Sequence, residues 1–219
     1  MMAGRRNSVL AISAAAAAAV STAGFTSAST DAVIPRAAPS VRFIVAPAGN
    51  EVRYRVREQL ARMPLPNDAI GKTTEIQGGM SVTAGGAIVS GESKFTVNAG
   101  SLTSDRQLRD NYIRRRTLEA DSYPMIEFVP ASFRGLPNPL PASGTQEFQL
   151  LGNLTVKGVT KPVIWNVKAT LSNGAVIGTA TTSFTFANFN LDQPQVPIVL
   201  SVNDSIELEY DFSLIQQKK

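Results

Sequence analysis

Enzymes and metal proteins announce themselves through nucleophiles, imidazoles, thiols, paired carboxylates or clustered cations, and this chain holds few of them. Its 219 residues include no His and no Cys. That removes Ser-His-Asp and Cys-His relays, imidazole and thiolate metal sites, and disulfides. No G-x-S-x-G, P-loop or G-x-G-x-x-G run occurs. The carboxylates of Asp105, Glu119 and Asp121 sit where they cap and solvate a helix rather than work as an acid–base pair. The cationic exception is Arg106, Arg109, Arg114, Arg115 and Arg116. Guanidinium groups suit pyrophosphate or anionic lipid heads, although the same run also reads as a solvated helical face balanced by Glu119 and Asp121. Arg106 and Arg109 are the candidate head-group contacts. No catalytic residue, metal site or bound cofactor is expected, and the chain is read as a non-enzyme.

What the chain has in quantity is apolar surface, 43% of its residues. Ten side chains recur on the inward parity of predicted strands: Phe95, Val97, Phe128, Leu150, Leu154, Trp165, Phe184, Phe186, Leu208 and Tyr210. They form either a packed core or the wall of an apolar cavity. Pattern alone leaves both open, because strands look the same around a full or an empty barrel.

The elements that must position them are strands. From Phe148 to Ala169 apolar residues recur at every second position on both sides of Lys157-Gly158, which predicts a β-hairpin. Gly158 supplies the turn, Pro162 is placed at the start of the return strand, and Gly152 is a candidate bulge. Val41 to Val45 and Glu51 to Arg57 are further strands, the second with Arg53, Arg55 and Arg57 outward. Ile70 to Val82 reads as two short strands around Gly78-Gly79. Ile88 to Val97, Tyr123 to Phe128, Val176 to Phe189 and Asp204 to Leu214 complete the set, with Ser172-Asn173-Gly174 a tight turn. One helix is predicted from about Asp105 to Glu119, with Ser104 as N-cap and Gln107 closing a capping box. Pro124 stops it.

Eight to ten antiparallel strands at this spacing make a sandwich or a closed barrel. The last strand is amphipathic throughout, so pairing it with an early strand removes two exposed edges. The predicted fold is an all-β antiparallel barrel of about eight strands with one helix covering an end or side.

The first 28 residues read as a secretory signal: Arg5 and Arg6, then a largely alanine apolar run from Val9 to Val20, then small residues at Ala23 and Ala28 for cleavage. An uncleaved anchor is the alternative. The run is too short for a membrane span. Residues 29–40 form a linker and 41–219 the barrel domain. The expected location is secreted, periplasmic or cell-envelope. The whole chain carries +4; without the two N-terminal arginines it is nearly balanced, which argues against nucleic acid as partner. A transient membrane-surface contact and a dimer are both compatible with the sequence.

Four segments in order resemble the YceI-like, polyisoprenoid-binding family. Gly152-Asn-Leu-Thr-Val-Lys-Gly-Val-Thr-Lys-Pro-Val163 is similar to its hairpin segment. Ser101 to Asp110 resembles its helix entry, Tyr123-Pro-Met-Ile-Glu-Phe128 its next strand, and Ser201 to Leu208 its closing strand. Two positions depart from it. Phe184 to Asn190 lacks the Arg and Gly common in members, and Lys157 stands where relatives often have His. The resemblance implies an exported, lipocalin-like antiparallel barrel that holds an isoprenoid chain, such as a quinone or prenyl phosphate, in an apolar tunnel without catalysis. The ten apolar residues would line it. The rival expectation is a cell-envelope stress or interaction module with a filled core and no ligand.

Overall fold

The computed structural model describes residues 39–172 and 174–217. The predicted signal segment and most of the predicted linker lie outside the described residues. Eleven strands and one helical segment make up the fold. In chain order they are β1 (Ser40–Val45), β2 (Glu51–Leu60), β3 (Asn67–Thr73), β4 (Ile76–Thr83), β5 (Lys94–Asn98) and β6 (Thr103–Ser104). After α1 (Gln107–Tyr112) come β7 (Met125–Arg134), β8 (Gly144–Val156), β9 (Val159–Ser172), β10 (Ala175–Thr185) and β11 (Val199–Gln216).

Eight strands close a ring in the order β1-β4-β5-β7-β8-β9-β10-β11, and β11 returns to β1. The amphipathic last strand is therefore paired on both edges, as its pattern required. Its length decides how. Residues Ser205 to Ile215 lie along β10. On the other edge, Val199 to Asp211 pair with β2 and Leu214 to Gln216 with β1. At the β1 end the wall is continuous. At the β2 end it splays, because β2 leads to β3 and β6 rather than back to β7. The chain between β6 and β7 crosses that gap, and it carries the helix.

The β8–β9 hairpin forms in continuous register from Gly144↔Leu171 to Val156↔Val159. Lys157 (φ 49°) and Gly158 (φ 72°) both sit in the left-handed region, the geometry of a two-residue turn that follows strand twist. Two details differ from expectation. Pro162 lies inside β9 opposite Asn153, and it is tolerated there because β10 begins to pair with β9 only at Asn166. Gly152 is not the bulge. The register shift lies on β7 between Pro130 and Ser132. Gly152 instead gives room to a neighbour: a Cβ there would stand 2.6 Å from the Phe128 ring.

Other boundaries also moved. The break expected at Gly78-Gly79 falls at Thr74-Glu75, and both glycines lie inside β4. Cβ atoms there would meet the carbonyls of Lys94 at 2.1 Å and Phe43 at 2.2 Å, so these residues permit close strand approach instead of a turn. The strand predicted from Ile88 begins only at Lys94, with Ile88 in an isolated bridge to Val82. The strand predicted to Phe189 stops at Thr185. Phe186–Phe189 form a 3-10 turn, closed by reciprocal bonds between Thr185 and Asn188.

The helix lies where its pattern placed it, but its start is different. Ser104 does not cap it. The Asp110 carboxylate turns back to accept from the Ser104 N–H at 2.8 Å and hydroxyl at 2.6 Å. The α-helical turns end at Tyr112, and Ile113–Thr117 continue as a wider π-turn. No residue of α1 is buried.

Two apolar clusters fill the interior. Phe95, Leu150, Trp165, Val167, Ala169, Ala180, Phe212 and Leu214 pack at the continuous end. Leu154, Val156, Phe186, Phe189, Leu118 and Ile206 gather at the splayed end.

Candidate functional site

At the splayed end the inward faces do not meet. They surround a cavity of about 570 Å³. β2 supplies Tyr54, Val56, Glu58 and Leu60, because their common parity faces inward. Ala69 enters from β3, Val156 from the β8 end, and Phe184, Phe186, Ile206 and Leu208 from the last hairpin and its 3-10 turn. The roof is the helical segment, through Gln107, Leu108, Arg109, Tyr112, Ile113, Thr117 and Leu118. The loop before β11 completes the wall with Leu191, Pro194, Val196 and Ile198. Leu108 and Ile198 are exposed and mark the mouth, whereas Val156 and Phe186 are buried and mark the floor.

A second void of about 110 Å³ lies in the continuous half of the barrel. Phe95, Val97, Phe128, Leu150, Leu154, Trp165, Leu208 and Tyr210 line it. Ile126 and Leu208 line both spaces and so form the neck between them. Aromatic contacts fill much of this half: Phe128 meets Trp165 edge-on at 5.9 Å between centroids, and Tyr210 lies 5.6 Å from Phe212. Thus most of the ten predicted apolar residues surround the small void. Phe184, Phe186 and Leu208 are the ones that reach the large cavity.

The sequence places Val56 and Ile206 on apolar strand faces and a loop at 192–196, but none of these, nor Leu60, Ala69, Leu102 or Leu118, is among the expected lining residues. One signal was available. Glu58 continues the inward parity of Val52, Tyr54 and Val56, and a carboxylate on an apolar stripe marks a polar end to a cavity. It is buried and pairs with Arg109 at 2.6 Å, their side chains 7% and 12% exposed. Arg109 also reaches Asp105. Removing a partner from such a buried pair strands a charge, so the pair is a fixed polar edge rather than a free cation. Burial works against the Arg109 guanidinium, but Glu58 and Asp105 outweigh it and hold its charge above the ordinary range. Arg106 lines the mouth and lies 3.6 Å from Asp105 in an exposed pair. The two predicted head-group arginines therefore do stand at the mouth, each facing a carboxylate.

Arg114, Arg115 and Arg116 do not line the cavity, and Arg114 Nε is buried without a partner. Glu119, read as part of a solvated face, pairs instead with Lys157 of the β8–β9 turn at 2.6 Å. Inside the cavity the Thr117 hydroxyl is buried with no hydrogen-bond partner, and in the smaller void the Trp165 Nε1–H is in the same state. Burial pushes the Tyr54 and Tyr210 phenols up, so both stay protonated; Tyr210 donates to Asn50 at 2.8 Å. Among the described residues no group of three His, Cys, Asp or Glu side chains could hold a metal, and no helix is long and apolar enough to cross a membrane.

The YceI-like domain model matches residues 43–214. No curated protein is similar to the chain in sequence. Solved structures with a similar fold include the following three. Burkholderia cenocepacia BcnA superposes with a TM-score of 0.54 at 16% identity, covering 77% of this chain and 98% of that one. A Saccharophagus degradans polyisoprenoid binding domain, described as implicated in plant cell wall breakdown, gives 0.58 at 9% identity over 80% and 98%. A Campylobacter jejuni YceI protein gives 0.57 at 16% over 74% and 91%.

Proposed function

The chain belongs to the YceI-like family, and from that premise we propose that it is an exported lipid-binding protein that holds the tail of a long-chain polyisoprenoid, for carriage or storage, without catalysis. The 570 Å³ apolar cavity carries this reading, since a space of that size falls within the range of small-molecule sites. A tail of about twenty carbons gains on the order of 15 kcal/mol gross at ~0.8 kcal/mol per buried methylene. Ordering the tail and its host cancels a large share. No reacting group is needed for such a cargo. The polyisoprenoid binding domain from Saccharophagus degradans, with its matching fold, supports the same ligand class.

The polar edge bears on the head group. Arg106 and Arg109 already face Asp105 and Glu58, so a phosphate would find two cations and two anions at the mouth. An uncharged head, such as a quinone or prenol, meets no such opposition. An isoprenoid quinone is therefore favoured over a prenyl phosphate. The 570 Å³ space at the splayed end favours the carrier reading over a filled module.

Native mass spectrometry of protein isolated from its own cells tests the reading. The expected result is added mass matching a polyisoprenoid, released on organic extraction. Bare polypeptide mass, together with no uptake of an added isoprenoid quinone, overturns it.

A further inference from the structure

The three most exposed large apolar side chains among the described residues are Leu108 at 86%, Leu65 at 72% and Leu200 at 65%. They lie on separate segments of sequence, yet all three segments converge on the cavity mouth. Leu108 is on α1 and lines the mouth itself. Leu65 is in the β2–β3 turn, just beyond Leu60 of the cavity wall. The Ala61 N–H of that turn donates to the Ile198 carbonyl at 2.9 Å, and Leu60 pairs with Val199, which ties the turn to the segment carrying Leu200. The Arg109–Glu58 pair ties the helix to the base of the same turn. Met63 and Ile198 are exposed there too. Leucines this exposed contribute little to the core, and a group of them beside exposed arginines marks an interaction surface. Arg62 stands beside Met63 with no ion pair among the described residues, and the segment from Asp105 to Thr117 carries five arginines against Asp105 and Asp110.

We propose that this rim docks on a lipid bilayer, with the leucines entering the acyl boundary and the exposed arginines Arg62, Arg115 and Arg116 meeting lipid phosphates, so that the cavity mouth opens directly onto the membrane. The pattern is that of interfacial binding, in which buried apolar area and attraction to anionic lipid add. The occupant is a bilayer rather than a protein because the exposed leucines adjoin the mouth of an apolar-lined cavity, so a lipid tail passing between bilayer and cavity there has little water to cross. The inference rests on the lipid-binding reading for its purpose but not for its test.

The chain has no Cys, so Leu65→Cys takes a single environment-sensitive dye, and Ile177→Cys on β10 places the same dye at the far end of the barrel. The expected result with phosphatidylcholine–phosphatidylglycerol vesicles is a blue shift and brightening at position 65 and none at 177. Adding Leu108→Asp and Leu200→Asp should weaken the response at 65 by roughly tenfold or more. Because the readout is local, tethering through any other part of the chain would not mimic it. No shift at 65, an equal shift at both positions, or a shift indifferent to the two aspartates overturns the proposal; the first of these outcomes would assign the rim to a protein partner. A protein that docks yet carries no lipid refutes the carrier reading alone, and one that carries lipid without docking refutes this inference alone.

Discussion

Substituting two alanines separates an open lumen from a filled one. Ala69 on β3 lines the large cavity, and Ala169 on β9 is buried in the packed cluster with Trp165, Val167 and Leu214. Ala→Leu adds three carbons at either site. Where space is free, burying them gains about 2.4 kcal/mol at ~0.8 kcal/mol each, less about 0.5–1 kcal/mol of lost rotamer freedom. Delipidated Ala69→Leu should then be more stable than the parent by about 1.5 kcal/mol. Where space is occupied, overpacking costs about 1–3 kcal/mol, and Ala169 has no spare room: a Cβ on its cross-strand neighbour Gly178 would already lie 2.8 Å from its Cα. Ala169→Leu should be destabilised accordingly. Urea unfolding with unchanged slope reads both values. The same Ala69→Leu should weaken isoprenoid binding by about 2 kcal/mol, or roughly thirtyfold, because it takes the place of three tail carbons. If both variants lose stability, the lumen at the splayed end is full and the reasoning fails.

Leu208→Ala should open the neck between the two voids; it is expected to cost about 2–5 kcal/mol of stability and to shift preference toward longer tails. Trp165 is the chain's one tryptophan and lines the inner void, so its emission should respond to long tails in Leu208→Ala more than in the parent; an equal response would refute the neck. Gly152→Ala should destabilise the barrel and displace the Phe128 ring, read as a changed Trp165 environment; a neutral effect would refute the close approach. Arg53 holds the Glu51 carboxyl below its usual range, helped by Lys72, and for Glu209 burial pushes upward but Arg55 and Arg53 outweigh it. Carboxyls lowered in the folded state add stability above their unfolded value of about 4.3 and lose it as pH falls through the folded value. Arg53→Gln should therefore raise the pH of acid unfolding, with the gap to the parent closing below about pH 4; a gap of constant size from pH 3 to 7 would refute the linkage.

Period-two patterning revealed the hairpin, a barrel of about eight strands and its closure, because β8, β9 and the end of β11 each bury one face along their length. It did not reveal where the strands part. Splaying depends on which partner β11 takes beyond Asp211, and an amphipathic strand carries no mark of that choice. The ten apolar residues were chosen for size and parity, and large side chains are the ones that fill space. The cavity is lined where Ala69, Val56, Val156 and the loop 191–199 are too short or too distant to meet. Gly78 and Gly79 misled because glycine serves both turns and close strand contacts, and only the partner backbone tells which. Ser104 misled for a related reason: Asp110, six residues on, claimed its hydroxyl.

The arrangement of β11 has a mechanical result. Its ladder to β10, β2 and β1 holds the staves together without any bond to α1, which buries none of its residues. The helical cover rests on the barrel by few ties, chiefly Arg109 to Glu58 at one end and Glu119 to Lys157 at the other. Raising it breaks no stave. Opening there should cost a small fraction of the free energy of unfolding, and amide protons of residues 107–117 should trade with solvent well ahead of those in the staves.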